Sequence, residues 1–389
     1  MLRQSPLVGH VSGCRACGSP NLQQIADLGP VPASDRFPLA TSPVLEPTPR
    51  LLLVVCLSCC FVQLGPDAVT AAEDPGQVTS ATAQRHAARS VAELVAIEQV
   101  PSGATVLELD SGHGASWLPA FRAAGLEPVD DGRADVVADV HHLMHEADAA
   151  EAVGELASRM APRGVLVCEF LHVLPVIQQG LIDTIRHGHY SYFSLLAFAH
   201  VLGRHGLTPT RATEVPAYGG SLRVAARRTS ENTIVDSSVA SVLARERSGG
   251  AGDPQVLSEF ARRGAYAAEA LRDVLIGLRQ RSESVAGYGA PSKAPVLLGL
   301  ARVGADLLPW TVDLSPAKTG RRIPGTKVRV EAVDRLFEER PDHVVVLTWD
   351  IWEEVRDQLA RQARPMGWNP LMHVPLPRPR QVRLLADTE

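Results

Sequence analysis

Ala104-Thr-Val-Leu-Glu-Leu-Asp-Ser-Gly-His-Gly114 is the stretch on which the fold turns. An apolar run, closely spaced glycines and then the helical pattern Trp117 to Ala124 predict strand, tight turn and helix. Gly112 and Gly114 would let a ligand approach the backbone, and the helix N-terminus would favour its polar groups. A two-glycine turn of this kind also occurs in α/β proteins that hold no ligand there.

Working outward, Ala81 to Gln99 reads as a helix before the strand, and Leu126 to Val129 as a second strand after it. That strand ends in Asp130 and Asp131, where an acid commonly holds ribose hydroxyls. The pattern then shortens. Ala134-Asp-Val-Val-Ala-Asp139 reads as the next strand, with space for a turn only where a complete unit holds a helix, a strand and a further helix. A helix over Ala147 to Met160 and a strand over Gly164 to Phe170 follow. His141 and His145 are spaced i, i+4 and could share a helical face near Glu146, with His142 between them. The order HExxH is missing, so these read as polar residues at a strand-to-helix edge and not as metal ligands.

At the N-terminal side, Cys14-Arg-Ala-Cys17 and Cys56-Leu-Ser-Cys59 are two CxxC pairs. Each turn lets two thiolates converge, and two pairs complete the tetrahedral set of a closed structural zinc site. Leu51 to Val55 supplies a strand leading into the second pair. A redox dithiol would need a thioredoxin-like strand and helix around it, which is absent. Cys60 reads as a spare thiol and Cys168 as packed core.

The 389 residues suffice for two or three domains, and 45% hydrophobic with 21% charged residues is an ordinary soluble composition. A net charge of -5 gives no field to recruit nucleic acid or anionic lipid. Met1 to Gly9 does not read as a signal peptide, and no apolar run is long enough to span a bilayer. A reducing cytoplasm is the expected compartment, where free thiols are the rule.

Four stretches carry a family resemblance: the double CxxC; Asp183-Thr-Ile-Arg-His-Gly-His-Tyr-Ser-Tyr-Phe-Ser194 with Leu202-Gly-Arg-His-Gly-Leu207; Pro216-Ala-Tyr-Gly-Gly-Ser-Leu-Arg223; and Gly287-Tyr-Gly-Ala-Pro-Ser-Lys-Ala294 with Val312 to Lys318, Ile323 to Thr326 and Pro341 to Trp349. In this order they resemble the bacterial nucleotide-deoxysugar C-methyltransferases, nearly end to end. The resemblance implies an α/β chain of a small zinc module (1–75), a shortened Rossmann-like methyltransferase domain (76–228), a flexible linker (229–255) and a C-terminal Rossmann-like sugar-nucleotide domain (256–389). It also implies structural zinc on Cys14, Cys17, Cys56 and Cys59. Glu108, Asp110, Gly112, Gly114 and Asp130 would hold S-adenosylmethionine, an acid before the glycine turn being common in class I methyltransferases.

In the family a carbon beside a keto group of a thymidine-diphosphate sugar is deprotonated and the enolate is methylated. Such a proton needs a base near neutral pKa, and the developing oxyanion needs a donor. The resemblance assigns the base to His189, with His187 and Arg186 beside it, and substrate contacts to Tyr192, Gly219, Gly220, Ser221, Tyr288 and Lys293. The turn at Gly287 to Ala290 could cradle a diphosphate, with Lys293 adding charge. Four positions depart from the family pattern: Arg186 replaces a tyrosine, Gly188 a glutamate and Tyr218 a histidine, and Gly76 to Ser80 lacks a tyrosine. Two alternatives stay open: donor-free acid/base chemistry at His189 (epimerase, isomerase or eliminase), or a non-catalytic partner that binds sugar nucleotide. Trp310 and Trp349 read as core or as substrate walls, and the tail after Pro375 as loose surface chain.

Overall fold

A computed structural model describes residues 13–44, 46–69, 79–109 and 116–385. In the N-terminal module, β1 (Leu22–Pro30), β2 (Arg50–Cys56) and β3 (Val62–Leu64) form an antiparallel meander. Leu51, Leu53 and Val55 alternate along β2 and are fully buried, as a half-covered sheet requires. The register Leu22↔Cys56 brings the two cysteine turns together.

The middle of the chain runs α1 (Ala81–Glu98), β4 (Thr105–Leu109), α2 (Leu118–Ala123), β5 (Glu127–Pro128), β6 (Ala134–Val140), α3 (Ala149–Arg159), β7 (Met160–Leu171), α4 (Val173–Gln179), β8 (Ser191–Tyr192), α5 (Leu195–Arg204), β9 (Leu207–Val215) and β10 (Ser221–Arg228). The sheet order is β5-β4-β6-β7-β10-β9, parallel from β5 to β7 and antiparallel beyond. Val136 and Val137 on β6 are both fully buried, because helices cover both faces of a parallel sheet. As expected, only a turn joins β5 to β6. Gly132 takes φ 85° there, a conformation a side chain disfavours. β8 leaves this sheet and pairs instead with β3 of the N-terminal module.

The C-terminal part comprises α6 (Ser237–Ser248), α7 (Pro254–Gln280), β11 (Val285–Tyr288), α8 (Ala294–Leu300), β12 (Trp310–Asp313), β13 (Arg329–Ala332), α9 (Asp334–Glu339), β14 (His343–Val346), α10 (Trp352–Ala363), β15 (Leu371–Val374) and β16 (Arg380–Arg383). Its sheet order, β13-β12-β11-β14-β15-β16, reverses direction beside β11, as the middle sheet does between β4 and β6. Ligands of open α/β sheets lie outside the carboxyl ends of strands at such reversals.

Two expectations are corrected. Residues 229–255 are not a flexible connection. Asp236 caps α6 by accepting from Ser238 N, Val239 and Val242 bury themselves, and the fully buried Glu246 accepts from His172 Nε2 (2.7 Å) and from the amides of Leu195 (2.5 Å) and Leu196 (2.8 Å). Residues 376–385, the described part of the tail after Pro375, are not loose surface chain either: β16 adds an antiparallel edge to β15. Both segments look polar because few of their residues face the core. Among the described residues, no helix is long and apolar enough to cross a membrane.

Candidate active site and metal centre

The Sγ atoms of Cys14, Cys17, Cys56 and Cys59 all lie within 4.8 Å of one another. Cys14 and Cys59 are 3.6 Å apart and Cys17 and Cys56 3.7 Å, while sulfurs at about 2.3 Å from a tetrahedral zinc sit about 3.8 Å from each other. The Ala16 amide donates to Cys14 Sγ at 3.4 Å, which favours the thiolate. The set is closed and fits zinc. Cys60 adopts a left-handed φ of 61° and stays outside it, and Cys168 is core.

A cavity of about 430 Å³ opens between the carboxyl ends of the middle and C-terminal sheets. The middle part contributes His141, His145, Arg186, His189 and Tyr218, and the C-terminal part Tyr288, Lys293, Asp313, Lys318 and Asp350. The rings of His145 and His189 approach edge to face, with centroids 4.7 Å apart. His145 Nδ1 donates to the Gly188 carbonyl at 2.8 Å, which fixes its tautomer toward the loop.

Behind the cavity lies a buried charge cluster. Glu169, fully buried, meets His86 Nε2 at 2.5 Å, Arg223 Nε at 3.0 Å and His141 Nε2 at 3.5 Å. Burial pushes its carboxyl up, but the bonds from His141 and His86 outweigh that and hold it well below the usual range. Tyr218 lies edge-on to His141 at 4.9 Å, and both residues adopt left-handed φ, 55° and 62°. Burial raises the Tyr218 hydroxyl to about 12, so it stays a proton donor. On the opposite wall, Lys293 Nζ pairs with Asp350 at 2.5 Å and lies 3.8 Å over the Trp349 ring. Trp349 Nε1 in turn donates to the buried Asp183 at 2.7 Å.

Among the assigned residues, the structure brings His189, Arg186, Tyr288 and Lys293 to this cavity. Arg186 is no solvated surface arginine: it is buried and its Nη1 pairs with Asp35 at 3.1 Å. His187 faces away, with Nε2 donating to the Pro49 carbonyl at 3.3 Å and Nδ1 accepting from Val69 N at 3.5 Å. Tyr192 is also off the cavity, its hydroxyl accepting from Arg186 N and donating to the Thr184 carbonyl. Gly219, Gly220 and Ser221 lie behind Tyr218. A Cβ on Gly220 would meet Pro175 at 2.6 Å, so this turn serves close packing. Lys293 stands just before α8, and its side chain makes no capping bond to the helix.

Of the donor residues, Glu108 and Asp130 line a separate cavity of about 240 Å³ at the ends of β4 and β5. Glu108 accepts from Ser116 Oγ, Trp117 N and Leu118 N at 2.6 to 3.1 Å, capping α2. Asp110, Gly112 and Gly114 lie outside the described residues. The three histidines of 141–145 part company: His141 turns to Glu169, His142 to Glu146 at 3.0 Å, and His145 to His189. They share no helical face, since the segment is a short 3-10 turn. Sequence reasoning missed His145, Glu169, His86, Asp35 and Asp183 as parts of the site. The polar cluster at 141–145 signalled the first; the others become visible only through long-range pairing.

Residues 14–72 match a family model described as "Putative zinc binding domain", and residues 216–377 one described as "C-methyltransferase C-terminal domain". C-methyltransferase NovU of Streptomyces niveus is 28% identical over 238 residues, 61% of this chain and 56% of that protein, so the match spans little over half of that relative. Among solved structures, magnesium protoporphyrin IX methyltransferase from Synechocystis PCC 6803 with bound SAH shares 18% identity (TM-score 0.29, 40% of this chain, 90% of that one). The 1,6-didemethyltoxoflavin-N1-methyltransferase of Burkholderia thailandensis shares 15% (TM-score 0.28, 44% and 96%). The chain thus joins, to a four-cysteine segment that matches a zinc-binding domain, a region that matches the C-methyltransferase C-terminal domain, and it is similar over 61% of its length to the C-methyltransferase NovU.

Proposed function

We propose that the chain is a C-methyltransferase acting on a nucleotide-linked keto-deoxysugar, with His189 as the base that forms the enolate. The observation that carries this is the His145–His189 ring pair in a cavity whose far wall supplies Tyr288, Lys293 and Lys318. His189 would take the proton beside the ketone, and Arg186 or Tyr218 would donate to the developing oxyanion. The cavity lies outside the carboxyl end of β11, where a sugar nucleotide would reach the turn at Gly289. Gly289 is needed there: its φ is 91°, and a Cβ would meet Thr348 at 2.5 Å. Lys293, held by Asp350, would orient toward the diphosphate.

S-adenosylmethionine, when bound, supplies the methyl group. Asp130, exposed at the end of β5, suits ribose hydroxyls, and Glu108 stiffens the start of α2 next to it. One observation favours a second reading, acid/base chemistry without a methyl donor. The sheet stops at the two-residue β5, so the wall that would flank the donor there is short.

Two measurements decide. Calorimetry of S-adenosylmethionine with zinc-loaded protein, with and without a thymidine-diphosphate keto-sugar, should show micromolar binding. Solvent deuterium should enter the sugar in wild type and be lost in His189→Ala by about 100-fold or more. Exchange without donor binding moves the assignment to the second reading. Absence of both removes the two together.

A further inference from the structure

The loop that carries His189 is laid almost wholly on the N-terminal module. Arg186 Nη1 pairs with Asp35, fully buried on the segment after β1. His187 bridges the Pro49 carbonyl and the Val69 amide. Gly188 N donates to the Val69 carbonyl at 3.0 Å, and the Tyr190 carbonyl accepts from Leu64 N at 3.0 Å. Ser191 and Tyr192 form β8 and pair with Gln63 and Val62 of β3. The His189 ring turns the other way, toward His145 and the cavity. The module also reaches back to its metal turn: Gln63 Oε1 accepts from the Arg15 amide at 2.8 Å, and the Arg15 guanidinium stacks on Tyr190 at 4.7 Å.

From this we infer that the zinc-binding module is the template of the base loop, with Asp35 and His187 as positioning residues for His189. The reason is geometric. A two-residue strand and a loop cannot hold one conformation by their own backbone bonds, so a neighbouring edge strand must supply them. Burial draws the His187 pKa below its ordinary value, which keeps the neutral ring that donates at Nε2 and accepts at Nδ1. Asp35 neutralises a guanidinium that would otherwise stand uncompensated beside the base. His187 thus acts behind the site and touches no reacting atom.

The catalytic part of this inference rests on His189 being the base; the structural part does not, and the test separates them. His187→Ala, His187→Asn and Asp35→Asn are compared with His189→Ala in the full zinc-loaded chain. Readouts are amide hydrogen exchange of residues 186–192, zinc content, and kcat and KM for deuterium entry into a thymidine-diphosphate keto-sugar. His187→Ala should speed exchange of the 186–192 amides, keep its zinc, and lower kcat about 10- to 100-fold with KM within about twofold, since a misplaced base loses rate and not ground-state binding. His187→Asn, which keeps an acceptor near the Nδ1 position, should recover much of the loss. Unchanged amide exchange and unchanged kcat in His187→Ala overturn the inference. Should that variant not fold, Asp35→Asn decides by the same readouts. If His189→Ala keeps full activity, the base assignment fails, while amide protection still judges the template.

Discussion

At the scale of single residues, the buried carboxylates are the groups whose environment decides their chemistry. Asp139 lies near the carboxyl end of β6, fully buried; burial pushes its carboxyl up to about 6 against the pull of His142 and His141. A carboxyl raised on folding binds its proton more tightly in the native state, so stability falls as pH rises from about 4 to about 6 and then stays lowered. Asp139→Asn, which can still accept from Leu143 N, should therefore stabilise the protein above pH 6 by up to about 3 kcal/mol and leave it unchanged below pH 4. Urea unfolding at pH 4 and pH 8 measures this, and equal effects at both pH values would refute the assignment. Glu169 has the opposite sign. Its carboxyl is held down, so the Glu169 cluster stabilises above the ordinary glutamate range and loses that contribution on acidification.

At the scale of elements, α6 shows how a helix in a polar segment can be indispensable. Its Glu246 reaches across to the open amides at the start of α5 and to His172, satisfying donors that a helix N-terminus leaves unpaired. Glu246→Ala would strand those groups in the interior, and breaking such a buried pair costs about 3 to 5 kcal/mol. Chemical denaturation should show that loss; a change below about 1 kcal/mol, the range of an exposed pair, would mean the contact is incidental. Truncating the exposed Ile234, 86% accessible and just before the helix, provides the contrast, with an effect within about 0.5 kcal/mol.

At the scale of the whole molecule, the cavity lies between the middle and C-terminal sheets, and the third and smallest sheet holds the loop that arms it. Cys56→Ser should abolish tight zinc binding, because a structural site's affinity is folding free energy. The expected consequence is a lower melting temperature together with loosened β3–β8 pairing. Metal analysis, a thermal scan and amide exchange over Val62–Leu64 and Ser191–Tyr192 follow it. A variant that loses zinc yet keeps β3–β8 protection would show the module to be independently stable.

The sequence by itself determined what depends on local pattern. Two CxxC spacings specified the metal set, the apolar run before Gly112 specified β4, and the direct step from Asp131 to Ala134 specified a sheet cut short at β5. These are legible because thiolate geometry and strand periodicity act over a few residues. The histidine loop was legible too, through its motif, and His189 does face the cavity. What the sequence could not decide is which neighbours of His189 share that cavity. His187 and Tyr192 lie in the same motif but pack toward the N-terminal module, while His145, Lys318 and Tyr218 arrive from elsewhere in the chain. The polar 229–255 segment became a packed helix for the same reason. Side-chain direction and burial follow from which strands pair, and the pairing of β3 with β8, more than a hundred residues apart, exists only in the folded chain.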